Sequence, residues 1–291
     1  MILALMTLSS DVPSLQIPCP HVRAMGVVDS SRIMLFEHIP DPVWRLQVRT
    51  VNLAGETIFK REIDAQTRFE GVDGFGNVVL SRGGQASLSD APDDNSLFVA
   101  GRWTIRSGSG YIILYHRSSP ISIIRNIRPD ALWATQPQTG TVSILERTQQ
   151  SYSLRVVSGP KHDHERVLQI VLPSGLSTVS SFPHFGLTWV GPSHVALIAR
   201  LKPAATGAVL PWDGDGFCLL LISTKTGQAS IIDRYSWKLA GSGGGLDLTR
   251  HSIGSLGASG VVSLVGGVLR IYPSVLKSVS PQLAEKPTRA D

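Results

Sequence analysis

The residues of this chain best suited to chemistry sit in His162-Asp-His-Glu165. Neutral imidazoles and carboxylates are the ligands zinc prefers. Alternate residues of an extended segment point the same way, so His162 and His164 would share a face. The segment follows Gly159-Pro160-Lys161 between two apolar runs, as the tip of a hairpin does, and polar residues collect at such tips without a metal. Asp213-Gly-Asp-Gly216 opens as a calcium loop opens, but the distal glutamate is missing and the chain runs straight into Phe217-Cys-Leu-Leu-Leu-Ile222. A turn leading into a buried strand accounts for it better. Glu37, Glu70 and Asp130 lie near expected strand ends, from which carboxylates could reach a central channel. Nothing in their spacing separates them from solvated carboxylates.

Other signatures fail on inspection. Gly-x-Ser-x-Gly, which raises a nucleophilic serine on a strand-to-helix elbow, does not occur. Gly241-Ser-Gly-Gly-Gly245 and Ser107-Gly-Ser-Gly110 are glycine-rich, but no Gly-Lys-Ser/Thr follows either, so both read as loops rather than phosphate cradles. Gly186-Leu-Thr-Trp189 is similar to the second half of a sialidase Asp-box. Its first half, Phe182-Pro-His184, lacks the serine and the aspartate. No residue is therefore assigned a catalytic, cofactor-binding or metal-binding role, and no cofactor is expected. Whether the chain is an enzyme stays open at this point.

The chain has 291 residues, of which 42% are hydrophobic and 17% charged, enough apolar material for a sizeable core. The net charge is +5, from 27 basic and 22 acidic residues. The basic residues are dispersed, as at Arg45, Arg49, Lys60-Arg61, Arg200 and Lys202, rather than gathered on one stripe. They read as solvated strand faces and edges, not as a nucleic-acid surface. The two cysteines, Cys19 and Cys218, are too few for a disulfide framework and form no Cys-x-x-Cys, and a bridge between them is left open. Met1-Ile-Leu-Ala-Leu-Met-Thr-Leu8 is apolar but too short to span a bilayer. It fits either a first strand, with a cytoplasmic protein, or a shortened secretory signal, with an extracytoplasmic one.

The elements that must position these residues are short strands. Trp44, Leu46 and Val48 alternate with Arg45, Gln47 and Arg49, the period of a half-buried strand. The phase flips at Val51 and Leu53, which predicts a bulge near Thr50, and Thr57 to Ile63 reads as the returning strand. Ile112-Ile-Leu114, Val195 to Ala199 and Phe217 to Ile222 are apolar without alternation and predict strands buried on both faces. No window holds a capped 3.6-residue stripe.

A turn followed by an apolar strand recurs five times. It appears at Ser30-Ser31 before Arg32, Gly74 to Gly76 before Asn77, and Thr139-Gly140 before Thr141. It returns at Gly191 to Ser193 before His194, and at Gly257 to Gly260 before Val261. With a second hairpin after each, the units become four-stranded antiparallel sheets, which defines a β-propeller. Five units parse, at 21–63, 67–127, 131–172, 184–233 and 240–275. Residues 1–20 closing against Val268 to Tyr272 would supply a sixth, so six blades are expected, with five as the alternative. Gly71-Val-Asp-Gly-Phe-Gly-Asn-Val-Val-Leu-Ser81 resembles a segment of NHL-type six-bladed propellers, where it forms the first hairpin of a blade.

The expectation is an all-β propeller over 21–277, preceded by segment 1–20 as signal remnant or ring-closing strand. A disordered tail follows over 278–291. The expected function is a non-enzymatic scaffold for an unknown protein or small ligand at a loop face, acting as a monomer with no nucleic acid and no membrane span. The alternative is a metal-dependent propeller hydrolase or lactonase with its site in the central channel.

Overall fold

The computed structural model describes residues 15–40, 45–63, 67–73, 78–82, 96–101, 103–108, 110–116, 119–129, 131–147, 151–159, 161–172, 176–180, 187–203, 217–235, 252–265 and 267–276. These form 23 strands in five sheets with no helix among the elements. Sheet I holds β2 (Val22–Val27), β3 (Arg32–Ile39), β4 (Arg45–Asn52) and β5 (Thr57–Ile63) in sequence order. Sheet II holds β6 (Thr67–Asp73), β7 (Val78–Arg82), β8 (Ser96–Gly101), β9 (Trp103–Gly108), β10 (Tyr111–His116) and β11 (Ser119–Arg125). Sheet III holds β12 (Leu132–Thr135), β13 (Val142–Arg147), β14 (Tyr152–Ser158) and β15 (His164–Gln169). Sheet IV holds β16 (Leu176–Ser180), β17 (Leu187–Val190), β18 (His194–Pro203), β19 (Phe217–Ser223) and β20 (Ala229–Tyr235). Sheet V holds β21 (Ser252–Leu256), β22 (Gly260–Val265), β23 (Val268–Tyr272) and, from the other end of the chain, β1 (Leu15–Pro18).

The five recurrent turn-plus-strand segments are the entries to β3, β7, β13, β18 and β22, the second strand of each unit. The bulge expected near Thr50 is present, as a register shift between Thr50 and Val51 against β5. Three features differ from expectation. β1 pairs with β23, Leu15 facing Ile271 and Pro18 facing Val268, but it completes sheet V as a fourth strand instead of founding a sixth sheet. Sheet II has six strands because β8 adds to β6 in parallel, Gly71 beside Val99. The first strand of sheet IV is split into β16 and β17, which pair with the far and near halves of β18. The segment with the NHL-type likeness spans β6 and β7, which pair antiparallel with Val72 facing Val78. Its residues 74–77 lie outside the described residues, as do 1–14 and 277–291.

Hydrophobic layers join consecutive sheets. Ile105, Ile112 and Leu114 of sheet II pack on Val142, Ile144 and Val157 of sheet III. Leu145, Leu154 and Val156 of sheet III pack on Leu197, Cys218, Leu220 and Ile222 of sheet IV. Ile198, Leu219 and Leu221 pack on Val261 and Tyr272 of sheet V, while Val262, Leu264 and Ile271 pack on Ile33, Leu35 and Val51 of sheet I. The first strands follow the same order. β12 touches β17, β17 touches β21, β21 touches β2, and β2 touches β6. The result is an all-β, propeller-like repeat. Sheets IV and V are apolar on both faces, which is why the β18 and β19 sequences show no alternation. Phe217 to Ile222 runs through the interior of its sheet, third from the split strand, and Cys218 to Ile222 are each 1% exposed or less. Among the described residues no helix is long and apolar enough to cross a membrane.

Candidate functional site

Strand directions bring the first turns of sheets I, III, IV and V to one end of the molecule. In the turn between β2 and β3, Asp29 accepts from the Ser31 amide and hydroxyl at 2.8 Å each and from Arg32 Nε at 2.7 Å. Burial alone would raise the Asp29 carboxyl; the hydrogen bonds from Arg32 and Ser31, with the Arg32 charge, outweigh it and hold it down at about 2. In the turn between β12 and β13, the Gln136 amide donates to Thr141 O at 2.8 Å and the Gly140 amide to Gln136 O at 2.9 Å, with Gly140 at φ 72. The turns 191–193 and 257–259 each start on a left-handed glycine, Gly191 at φ 59 and Gly257 at φ 61. A side chain at either would be strained, which explains the glycines that marked the repeat.

These turns abut in series. Gln136 Nε2 donates to Gly191 O at 3.2 Å. A Cβ on Gly191 would lie 2.7 Å from Ala258 O, and one on Gly257 3.2 Å from Ser30 Cβ. Just beneath, the Trp189 indole donates to Ala134 O at 3.1 Å, tying β17 to β12. The second-hairpin turn 224–228 joins them through the Thr224 amide, 2.8 Å from Ser193 O, and the Arg166 guanidinium, which donates to Thr224 O. His194 opens β18 beside this turn. Burial, and secondarily the Lys225 charge, lower its pKa. The rim therefore presents Ser30, Ser31, Arg32, Pro137, Gln138, Thr139, Pro192 and Ala258, all exposed, on backbones fixed by neighbouring sheets.

His162-Asp-His-Glu165 lies at the same end, and its groups diverge. His162 has φ 55, a left-handed turn position, so the segment is not extended and the two imidazoles do not share a face. The His162 ring turns into the molecule, where Nε2 donates to Gly140 O at 2.7 Å and the ring meets Trp103 edge-on at 6.1 Å. His116 flanks the same indole at 5.2 Å. His164 is exposed, its Nε2 3.9 Å from Asp163, and Glu165 pairs with Arg155 Nε at 3.1 Å. No group of three metal-ligating side chains forms among the described residues. Asp213-Gly-Asp-Gly216, Phe182-Pro-His184, Gly186, Gly241–Gly245 and Asp130 lie outside those residues, and Glu70 falls in β6.

Glu37 is not a channel carboxylate. It is 4% exposed on the face of β3 turned to sheet V, and it accepts from Gln47 Nε2 at 2.5 Å and Arg49 Nη2 at 2.6 Å. Of the basic residues read as solvated strand faces and edges, Arg45, Lys60 and Arg61 are exposed, while Arg49 is not, and two further strand arginines, Arg155 and Arg270, also turn between sheets. Arg49 is held between sheets by Glu37, Arg155 reaches Arg125 O at 3.0 Å, and Arg270 is 5% exposed with Asp233 at 3.8 Å. A cation survives between sheets because a carboxylate or carbonyl opposite replaces its water. Cys19 and Cys218 are both free and buried in different seams. Burial pushes both thiols up, Arg49 only partly offsetting this at Cys19.

Sequence reasoning missed Trp103, whose only herald is the glycine it packs on. The rim offers hydroxyls, amides and carbonyls on a rigid base, an arrangement suited to binding. Compared with known proteins, the chain matches no known protein family and no curated protein. Among solved structures it is similar to a functionally unknown protein from Desulfotomaculum acetoxidans DSM 771, at 10% identity over 70% of this chain and 73% of that one, with a TM-score of 0.32. A eukaryotic initiation factor is similar at 11% identity and TM-score 0.30, over 84% of this chain and only 60% of that one. The WD40 domain of SCAP from fission yeast is similar at 8% identity and TM-score 0.30, over 90% of this chain and 74% of that one.

Proposed function

We propose that the chain is a five-bladed β-propeller that acts as a binding scaffold, engaging a protein or small ligand through the turn face. The observation that carries this reading is the contiguous run of turns 28–31, 257–259, 191–193 and 136–141, each rigidly based, with the polar side chains of Ser30, Ser31, Gln138 and Thr139 exposed on the first and last. Rigid scaffolds with exposed loops are where recognition concentrates, because little ordering entropy is lost on binding. Five sheets whose layers and first strands run I–V–IV–III–II, with β2 touching β6, support a count of five blades. Sheet V, built from both chain ends, then latches the ring and removes an exposed edge.

Photo-crosslinking residues at Gln138, Pro192 and Ala258, with Val167 on β15 as the comparison, test the face. One shared adduct at the three turn positions and none at Val167 supports the reading. Adducts equal at all four positions, or only at Val167, overturn it. Stoichiometric calcium or zinc in the purified protein, with a melting point lowered by EDTA, would favour the hydrolase alternative instead.

A further inference from the structure

Three elements meet where the turn 191–193 abuts the second-hairpin turn 224–228, and the charged side chains they bring together there are basic. Successive residues of β15 point to opposite faces of sheet III. Glu165 turns to Arg155, while Arg166 reaches across the seam to sheet IV and donates to Thr224 O. Thr224 is buried, and its amide donates to Ser193 O at 2.8 Å. The guanidinium is therefore seated on a peptide that is held from its other side. Lys225 comes next in the chain and is exposed, as is Arg166. Burial, and then the Lys225 charge, lower the His194 pKa, which places the ammonium near the imidazole. Ser193 Oγ lies 3.2 Å from His194 Nδ1 and completes a cluster of Arg166, Lys225, Ser193 and His194 around the Thr224 peptide.

No acid answers these charges among the described residues. The two carboxylates closest in the chain to Arg166 are engaged elsewhere, Glu165 with Arg155 at 3.1 Å and Asp163 with His164 at 3.9 Å. Like charges held together on a fixed turn repel, and an anion set between them turns that repulsion into attraction. The chemistry of the donors suits an oxyanion. Arg166 spends one N–H on Thr224 O and keeps the rest of its planar fork, Lys225 adds a compact charge, and Ser193 adds a hydroxyl. Two cations without an acidic partner match a doubly charged group better than a singly charged one. We propose that Arg166, Lys225, Ser193 and His194 bind a phosphate group carried by the ligand of the turn face. The proposal rests on the turn-face reading, to which it adds the chemical class of the ligand.

Inorganic phosphate is the probe, titrated into the full chain at constant ionic strength so that screening does not vary. A saturable rise in melting point is expected, with the His194 ring resonances shifting along the same curve. Arg166→Gln and Lys225→Gln should each weaken binding about tenfold or more, the loss that accompanies removal of one charged hydrogen-bonding partner. Both side chains are exposed and glutamine can still donate to Thr224 O, so each variant should keep the wild-type melting point when phosphate is absent. Lys161→Gln, an exposed lysine at the same end but outside the cluster, should bind as wild type does. Absence of saturable binding, wild-type affinity in both cluster variants, or an equal loss in Lys161→Gln overturns the proposal. Acetate binding as tightly as phosphate also overturns it, and would assign the cluster to a carboxylate. Failure to bind phosphate while the crosslinks at Gln138, Pro192 and Ala258 persist removes the phosphate site alone. Phosphate binding without those crosslinks removes the turn-face reading.

Discussion

Gly140 shows how much rests on one missing side chain. Its Cβ would lie 2.3 to 2.7 Å from three atoms of the Trp103 ring, and its φ is 72. Gly140→Ala therefore costs both left-handed strain and displacement of an indole, about 1 kcal/mol or more together. A lowered melting point with a shifted tryptophan emission is expected, and unchanged emission would mean the indole does not rest on this turn. His194 gives a pH dependence. Burial and Lys225 disfavour its charged form, so its folded pKa lies below the unfolded value of about 6.5. The unfolded chain then binds more protons in that window, and stability is full above it and falls as pH drops through the folded pKa. The melting point should decline on acidification below about pH 6.5, and His194→Gln should flatten that part of the profile. An unaltered profile would place the acid sensitivity elsewhere. Spacing alone could not reveal either residue's role, because each depends on a neighbour far away in sequence.

At the scale of elements, the strands were legible wherever alternation or unbroken apolarity spoke for them. Thr57 to Ile63, the bulge after Thr50, and the doubly buried runs in β18 and β19 could all be read from side-chain pattern. What the pattern could not say is which sheet each face meets. Gln47 and Arg49 fall on the polar side of the alternation, yet that side faces sheet V and is buried through Glu37. The left-handed turn at His162 was equally hidden, because only glycine advertises that conformation in sequence. Phe217–Ser223 allows a direct check. Leu220 is 1% exposed among Leu154, Leu197 and other residues of the seam between sheets III and IV. Leu220→Asp places a carboxylate there with no partner, a cost of several kcal/mol against a total stability of about 5–15. Insoluble or unfolded protein is expected. A soluble variant with the wild-type melting point would show that β19 is not interior.

The whole molecule depends on how its two chain ends meet. β1 contributes only four residues to sheet V and three of them are exposed, so its own packing is slight. Its position matters more than its contacts. Ile17 packs against the turn at Gly55 in sheet I, the Cys19 amide donates to Gly267 O at 2.6 Å, and β1 covers the outer edge of β23, whose Leu269 to Tyr272 are buried. Sheet V is itself held between sheets IV and I by two apolar layers, so loosening its edge weakens seams on both sides. Removing residues 1–18 should therefore lower the single unfolding transition as a whole, not add a separate early one, and should promote aggregation through the bared β23 edge. Calorimetry on the truncated and full chains distinguishes the cases, with Leu15→Ser as a mild control because that side chain is 41% exposed. A truncated chain with the same melting point would show that the last sheet stands on three strands, and that the chain ends are joined by proximity without contributing stability.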